Sequence, residues 1–445
     1  MRSRADEAHL KHFQPEAEIG TPWWWEAAKP SATEDALPPR CDVAVIGAGY
    51  TGLSAAIAAH DAGASVVVLE AGVPGQGASS RNGGMFGAHP KQSRKNLARY
   101  FGEDLADAIL AEAAPALDWA RRFIDQEGID CDFQKTGRIQ LAWTPTHAQA
   151  QRKLVQSVRH AGDVRIEPLS RAELGREIET KRYHGAIVFP DHAALHAAKY
   201  HRGMLDAARH RGIRVVSHAP VENLEREATR FVLRSPRGAI QAEKVVLATN
   251  GYTSRPFVWH MRRVFPLPSF MIATEELPAN LLGHLAPGRR MMVETRARHS
   301  YFWISPDGKR ILFGGRAALR DIPPKIAAER LRHTMVDIWP ELEEVRLSHV
   351  WSGCTGFSFR QIPHVGLVDG MAYAMGFSGS GTVLAPYLGA KAGWLAVGDT
   401  RAETAYQHTS LQRNALHCFD KPYFLRAADL WYSYGVDWWQ NRQAK

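Results

Sequence analysis

Cysteine is scarce in this chain. Only Cys41, Cys131, Cys354 and Cys418 occur in 445 residues, and no two form a CxxC pair. That scarcity excludes a disulfide framework or a zinc knuckle and predicts a reducing compartment. Long apolar runs are also missing. Nothing approaches the roughly eighteen residues of a membrane span, and the first twenty residues carry two arginines without the apolar core of an export signal, so a cytoplasmic location with no membrane span is expected. Charge of one sign does not dominate: 55 Lys and Arg face 46 Asp and Glu, and the basic residues are scattered in short pairs such as Arg121-Arg122 and Arg289-Arg290. The excess of +9 suits a solvated surface that attracts anionic substrates, and no nucleic-acid partner is expected. His192, His196 and His201 have no HExxH glutamate beside them, so no metal site is expected.

What is present is concentrated between Cys41 and Gly84. Val43 to Ile46 is an apolar run suited to a buried parallel strand, and Gly47-Ala48-Gly49-Tyr50-Thr51-Gly52 follows as G-x-G-x-x-G at a strand-to-helix junction. Gly47 permits the tight turn, Gly49 allows close approach to a pyrophosphate, and Gly52 lets the helix pack near the sheet. The helix N-terminus favours anions through its unpaired N–H groups. A helix over Leu53 to Asp61, a stop at Gly63 and a second strand over Val66 to Leu69 complete the unit. Glu70 ends that strand, where a carboxylate binds both ribose hydroxyls and disfavours a 2′-phosphate. The whole reads as an adenine-dinucleotide site. No second G-x-G-x-x-G with a following acid appears, which argues against a separate NAD(P) site.

The length and 45% hydrophobic content predict two interleaved domains of α/β and α+β type. Residues 40–95, 186–255 and 350–400 form the expected nucleotide-binding domain, and residues 96–185 and 256–349 an antiparallel-sheet substrate domain. Residues 1–39, with Trp23-Trp24-Trp25, read as an N-terminal arm packed onto the body. Residues 401–445 form an aromatic-rich extension whose run from Leu430 to Trp439 is expected to pack on the body, with a dimer contact or the substrate entrance as alternatives. Helical patterning marks 96–127 and 147–180, a strand follows Cys131, and Asp307-Gly308 is expected to turn a hairpin. Substrate-side candidates are His299, Tyr301 and Arg360; an arginine fork suits a carboxylate.

In order along most of residues 40–395 run CDVAVIGAGYTGLSAA, VVVLEA, GASSRNGGM, LHAAKY, VVLATNGY and GFSGSGTVLAPYLG. On these segments the chain resembles the D-amino-acid-oxidase-like superfamily of FAD-dependent amine oxidoreductases, most closely its gamma-glutamylputrescine oxidoreductase branch. The resemblance implies a Rossmann-like FAD domain with an interleaved antiparallel-sheet substrate domain of glycine-oxidase type, and FAD bound without a covalent link. It places Ser79, Ser80, Arg81, Asn82 and Gly83 beside the pyrophosphate and flavin ring, the Val221 backbone at adenine, and Thr249, Asn250 and Gly251 around the nucleotide. Gly376, Ser378, Gly379, Ser380, Gly381 and Thr382 would present backbone N–H groups to the pyrimidine edge, where reduced flavin is anionic. The chain departs from the pattern at Ser380, where close relatives carry histidine, and has no histidine near RNGG for a covalent bond; Cys354 lies near a second linkage position.

The implied reaction is oxidation of a C–N bond in a small amine or amino-acid-like substrate: hydride to flavin N5, hydrolysis of the imine, and reoxidation by oxygen with release of peroxide. Two alternatives stay open: a dehydrogenase of the same fold that uses a quinone or flavoprotein acceptor, and a flavin-binding partner protein without turnover.

Overall fold

The computed structural model describes residues 12–88, 91–158, 165–227, 229–417 and 420–444. Two large sheets organise these residues. The first has eight strands. At its centre Arg40–Ile46 runs parallel to Val66–Leu69 on one side and to Gly238–Leu247 on the other, in register at Val43↔Val66 and Val245↔Ala44. Arg214–Val216 extends the parallel set beyond Val66–Leu69, and Met371–Met375 pairs with the end of Gly238–Leu247. The hairpin of Asn223–Glu227 and Arg230–Ser235 adds to the far edge. Val43, Ala44 and Val45 have no exposed surface, as unbroken apolar runs covered on both faces require.

Helices Tyr50–Asp61 and Gly381–Val397 lie together on one face of this sheet. Their backbones approach so closely that a Cβ on Gly389 or Gly393 would fall inside contact with the Thr51 or Ala55 carbonyl. Two glycines four residues apart on one helix face therefore set the interaxial distance. Gly63, at φ +96°, ends the first helix as the sequence suggests.

The second sheet has nine strands, in the order Phe13–Ile19, Leu347–Ser358, Val264–Thr274, Ile311–Gly315, Ser300–Ile304, Met291–Glu294, Arg138–Leu141, Ala186–Phe189 and Glu167–Leu169. It is mixed, because the first and second strands pair in parallel, as do Met291–Glu294 and Arg138–Leu141. Strand periodicity sorts its side chains. Phe302 and Ile304 pack with Leu331 and Met335 of helix Pro324–Ile338, whereas Tyr301 and Trp303 pack with Met271, Trp351 and Trp24 on the opposite face. That opposite face looks toward the glycine-rich segment after Glu70.

Several expectations need correction. The helix expected over 147–180 is confined to Pro145–Val158; Glu167–Leu169 is a strand, and Arg171–Arg176 a 3-10 turn opened by a Ser170–Glu173 capping box. Phe13–Ile19 is an edge strand of the large sheet rather than part of a simple arm, and residues 1–11 lie outside the described ones. Ala186–Phe189 and Leu347–Ser358 also belong to the nine-stranded sheet, although the segments containing residues 186–189 and 350–358 were assigned to the nucleotide-binding unit. Leu347–Ser358 pairs with Val264–Thr274 and with the far more distant Phe13–Ile19, so no local pattern announces its sheet. Trp431, Tyr434, Trp438 and Trp439 project outward instead of packing inward.

Candidate active site

The glycine turn is bare backbone at a helix start. Gly47 has φ +102°, and a Cβ there would come within 3.1 Å of the Ala248 oxygen; one on Gly49 would come within 2.9 Å of Ser79 Oγ. On Gly52 a Cβ would run into the Gly47 carbonyl. Glu70 is fixed at the strand end by accepting from Ala48 N at 2.8 Å and Gly72 N at 3.0 Å. His201 reaches the turn from helix Ala197–His210, its Nε2 2.7 Å from the Ala48 oxygen. Burial pushes that imidazole down to about 4, so it stays neutral. The sequence shows only a histidine on a helix; the contact spans 153 positions. His196 caps the same helix by accepting from Lys199 N at 3.2 Å. Among the described residues no group of three His, Cys, Asp or Glu side chains is arranged to hold a metal.

Three indoles from three elements grip the segment Ser80–Gly83. Trp25 Nε1 donates to Ser80 Oγ at 2.8 Å, Trp351 Nε1 to the Arg81 oxygen at 2.9 Å, and Trp303 Nε1 to the Gly83 oxygen at 3.1 Å. The Arg81 guanidinium lies 4.4 Å from the Trp25 ring centroid and donates to Gln76 O and Ser352 O. Asn82 Oδ1 accepts from Gly84 N, its Nδ2 donates to Ser79 O, and Ser79 Oγ accepts from Tyr50 N at the first helix. The tryptophan run of the arm thus touches a candidate binding segment directly.

The other predicted loops close on the same region. Asn250, at φ +46°, accepts from Gly376 N at 2.9 Å, and a Cβ on Gly251 would lie 2.9 Å from Gly356 N. Thr249 Oγ1 bonds Thr253 Oγ1 at 2.7 Å. Ser378 N donates to Gly356 O, and Ser380 is the N-cap of helix Gly381–Val397, with no side-chain cap bond of its own. Thr382 is buried in the first turn, and Gly376 and Gly379 have positive φ. Val221 is buried with Leu69 and Ala219, and Ala219 N donates to the Glu70 oxygen.

The opposing wall comes from the nine-stranded sheet. The Tyr301 ring lies between Gly83 and Gly314, 2.6 Å from where a Gly83 Cβ would stand, and its hydroxyl is 3.0 Å from Ser269 Oγ. His299 lies 6.5 Å from Tyr301 between ring centroids. Burial first, then the charges of Lys91, Arg316 and Arg296, push its imidazole well below the ordinary range and keep it neutral. Lys91 Nζ and the Arg316 guanidinium lie 4.9 Å and 5.0 Å from the centroid of one ring, Phe357. Arg316 donates to Pro268 O at 2.8 Å, and among the described residues neither cation has a carboxylate partner. Lys91 has accessible surface, yet burial, then Arg316, pulls its ammonium down to about 8. Lys91 is solvent-exposed, so the two cations flank Phe357 at the open side of the site.

The structure thus brings His299 and Tyr301 together and adds Lys91 and Arg316, which the sequence reading missed. Their signals were faint: Lys91 ends the glycine-rich run after RNGG, and Arg316 follows Gly314-Gly315. Arg360 lies 4.7 Å from the Phe101 ring centroid and 3.4 Å from the Tyr100 oxygen, and its own carbonyl accepts from Gln92, the neighbour of Lys91. Cys354 Sγ faces Gly251 O at 3.6 Å, and burial pushes its thiol up to about 12.

A dinucleotide-type parallel sheet facing a mixed sheet across glycine-rich loops is the architecture of a two-sheet flavin oxidoreductase. The chain belongs to the FAD dependent oxidoreductase family, whose model matches residues 42–393. It is 27% identical over 368 residues to gamma-glutamylputrescine oxidoreductase of Escherichia coli, covering 82% of this chain and 86% of that one. A probable oxidoreductase OrdL of Rhizobium meliloti is 28% identical over 382 residues, with 84% and 88% covered. Glycine oxidase from Geobacillus kaustophilus shares the fold, with a TM-score of 0.68 at 22% identity over 85% of this chain and 99% of that one. FAD fits the residues present, because the turn at Gly47–Gly52 opens helix Tyr50–Asp61 at Gly49, an N-cap without a side chain, with Glu70 at the neighbouring strand end.

Proposed function

We propose that this protein oxidises the C–N bond of a small amine that also carries a carboxylate, an amino acid or a gamma-glutamyl amine. The likeness to gamma-glutamylputrescine oxidoreductase and glycine oxidase supports the class. The observation that carries the carboxylate is the pair Lys91 and Arg316 on Phe357, two cations within 5.0 Å of one ring centroid without an acid to balance them. Like charges held close without a counter-charge repel, and an anionic ligand removes that cost. The anion's place therefore moves from Arg360 to Arg316.

FAD held by Gly47–Gly52, Glu70 and the Ser79–Gly83 segment supplies the two-electron oxidant, and bonding is non-covalent in this reading. Tyr301 and Phe357 give the site apolar walls that exclude water from the reacting carbon. Neutral His299 offers a ring nitrogen as hydrogen-bond acceptor to the substrate amine, whose ammonium proton goes to solvent, because only a free amine releases hydride from its α-carbon. Water then cleaves the imine to a carbonyl compound. Oxygen is the proposed electron acceptor.

Anaerobic mixing of the yellow holoprotein with carboxylated and uncarboxylated amines tests this reading. Bleaching by the carboxylated set alone is expected; bleaching by neither set would overturn the reaction, and by the uncarboxylated set alone, the carboxylate assignment. Acid precipitation should leave the colour in the supernatant, and colour in the pellet would revive a bond to Cys354.

A further inference from the structure

Packed behind Phe357, the C-terminal helical segment has two faces of opposite character. It runs from Phe424–Trp431 through a π-helical turn, Tyr432–Val436, into Asp437–Gln443. The inner face is pinned by polar contacts. Asp429 accepts from Leu319 N at 2.9 Å and Arg298 Nη1 at 3.2 Å, Asp437 accepts from Arg298 Nε at 2.7 Å, and Gln440 accepts from Ala297 N. Eight residues of regular α-helix would leave the two aspartates about 80° apart around the axis. The wider π-turn between them removes that offset, so both reach one arginine.

Aligning the inner face also aligns the outer one. Leu430, Trp431, Tyr434, Trp438 and Trp439 are each more than half exposed, Tyr434 at 80%. Charge is sorted the same way: both acids of the helix turn inward to Arg298, while the exposed charged residues Arg426 and Arg442 have no carboxylate partner among the described residues. Arg442 lies 5.4 Å from the Trp438 ring centroid. Exposed Lys421 precedes the helix and likewise lacks such a partner. A soluble surface rarely gathers this much aromatic area, and a neutral protein partner would not require the acids to be withdrawn. Indole and phenol rings with cations alone between them match the headgroup region of an anionic bilayer.

We propose that this face lies on an anionic phospholipid surface as an interfacial helix, parallel to the membrane plane. No helix among the described residues is long and apolar enough to cross a membrane, so the contact is peripheral. The inner face, through Phe424 and Leu425, packs on Phe265 and Phe357, so docking would put the side of the protein nearest the cation pair toward the lipid.

The test uses full-length holoprotein with sedimenting vesicles of phosphatidylcholine alone or of phosphatidylcholine mixed with anionic phosphatidylglycerol, whose negative surface attracts basic segments. Binding is expected only with the anionic vesicles, with a blue shift of tryptophan emission and loss in high salt. The triple variant Trp431→Ser, Tyr434→Ser, Trp438→Ser should bind at least about tenfold more weakly, as lost apolar burial requires, while keeping its flavin spectrum and solution turnover. Equal sedimentation of wild type and variant would overturn the proposal. So would a concentration-dependent dimer that the variant abolishes without any vesicle binding, because the occupant would then be a second copy of the chain.

Discussion

Replacing Trp25 with phenylalanine isolates the contribution of the N-terminal tryptophan run to cofactor retention. The substitution keeps an aromatic ring but deletes the 2.8 Å bond to Ser80 Oγ and weakens the stacking of Arg81, now 4.4 Å from the indole centroid. Ser80 is not left unsatisfied, because its hydroxyl still donates to Gly75 O at 2.5 Å. The loss is therefore one net hydrogen bond of about 1 kcal/mol and a cation–π share of about 0.5–1 kcal/mol. If the Ser79–Gly83 segment lies along FAD, that sum of about 1.5–2 kcal/mol raises the FAD Kd by roughly 10- to 30-fold. Apoprotein titrated with FAD and followed by flavin fluorescence or calorimetry reads the change. Trp394→Phe is the control, since its buried indole nitrogen has no bond to lose; it should lower Tm and leave Kd alone. An unchanged Kd for Trp25→Phe alongside a lowered Tm would refute the reasoning, showing that the grip stabilises the fold and not the bound cofactor.

Arg316→Met should raise KM for a carboxylated substrate by about 10- to 100-fold, the worth of a charge-assisted hydrogen bond of about 1.5–3 kcal/mol, while Arg360→Met changes it little; equal effects would return the anion to Arg360. Lys91→Met tests the same cation pair through stability. The folded state lowers the Lys91 ammonium from 10.5 to about 8, so between those values the folded chain holds fewer protons than the unfolded one and wild-type stability gains as pH rises. The variant should accordingly melt above wild type at pH 7, with the difference shrinking toward pH 10, and a pH-independent difference would contradict the lowered ammonium. Gly389→Ala pushes a methyl group into the Thr51 carbonyl and should cost about 1–3 kcal/mol by overpacking, read as a lower Tm; a neutral effect would mean that the two helices are free to separate.

Much of the nucleotide-facing half was legible because its logic is local. Strand, turn, helix and acid from Val43 to Glu70 lie within one stretch of chain, and each glycine there answers a steric need of its neighbours. The hairpin at Asp307-Gly308 was equally local, and Ser300–Ile304 pairs antiparallel with Ile311–Gly315 across it. The tryptophan run was visible as composition, but its role depends on Ser80, 55 positions away, and on a strand pairing of Phe13 with Leu347. Outward projection at the C-terminus was illegible for a similar reason. An amphipathic aromatic helix defines two faces, and only the distant Arg298 decides which one turns inward.

The substrate wall exposes the deeper limit. Arg316 and Arg360 look alike in sequence, each beside glycine or aromatic residues, and a carboxylate fork suits either. What separates them is the company they keep after folding. Arg360 shares Tyr100 with Arg99 and likewise lacks an acid among the described residues, but only Arg316 stands close enough to His299 and Tyr301 to act on them electrostatically. Arg316 shares Phe357 with a second cation, and both are lowered in basicity by burial, with Arg316 adding to the strain on Lys91. A fold gains no stability by placing two positive groups side by side, since each raises the other's cost. Their place beside His299 and Tyr301 suits an anion that completes the set, a position that no residue type read along the chain announces.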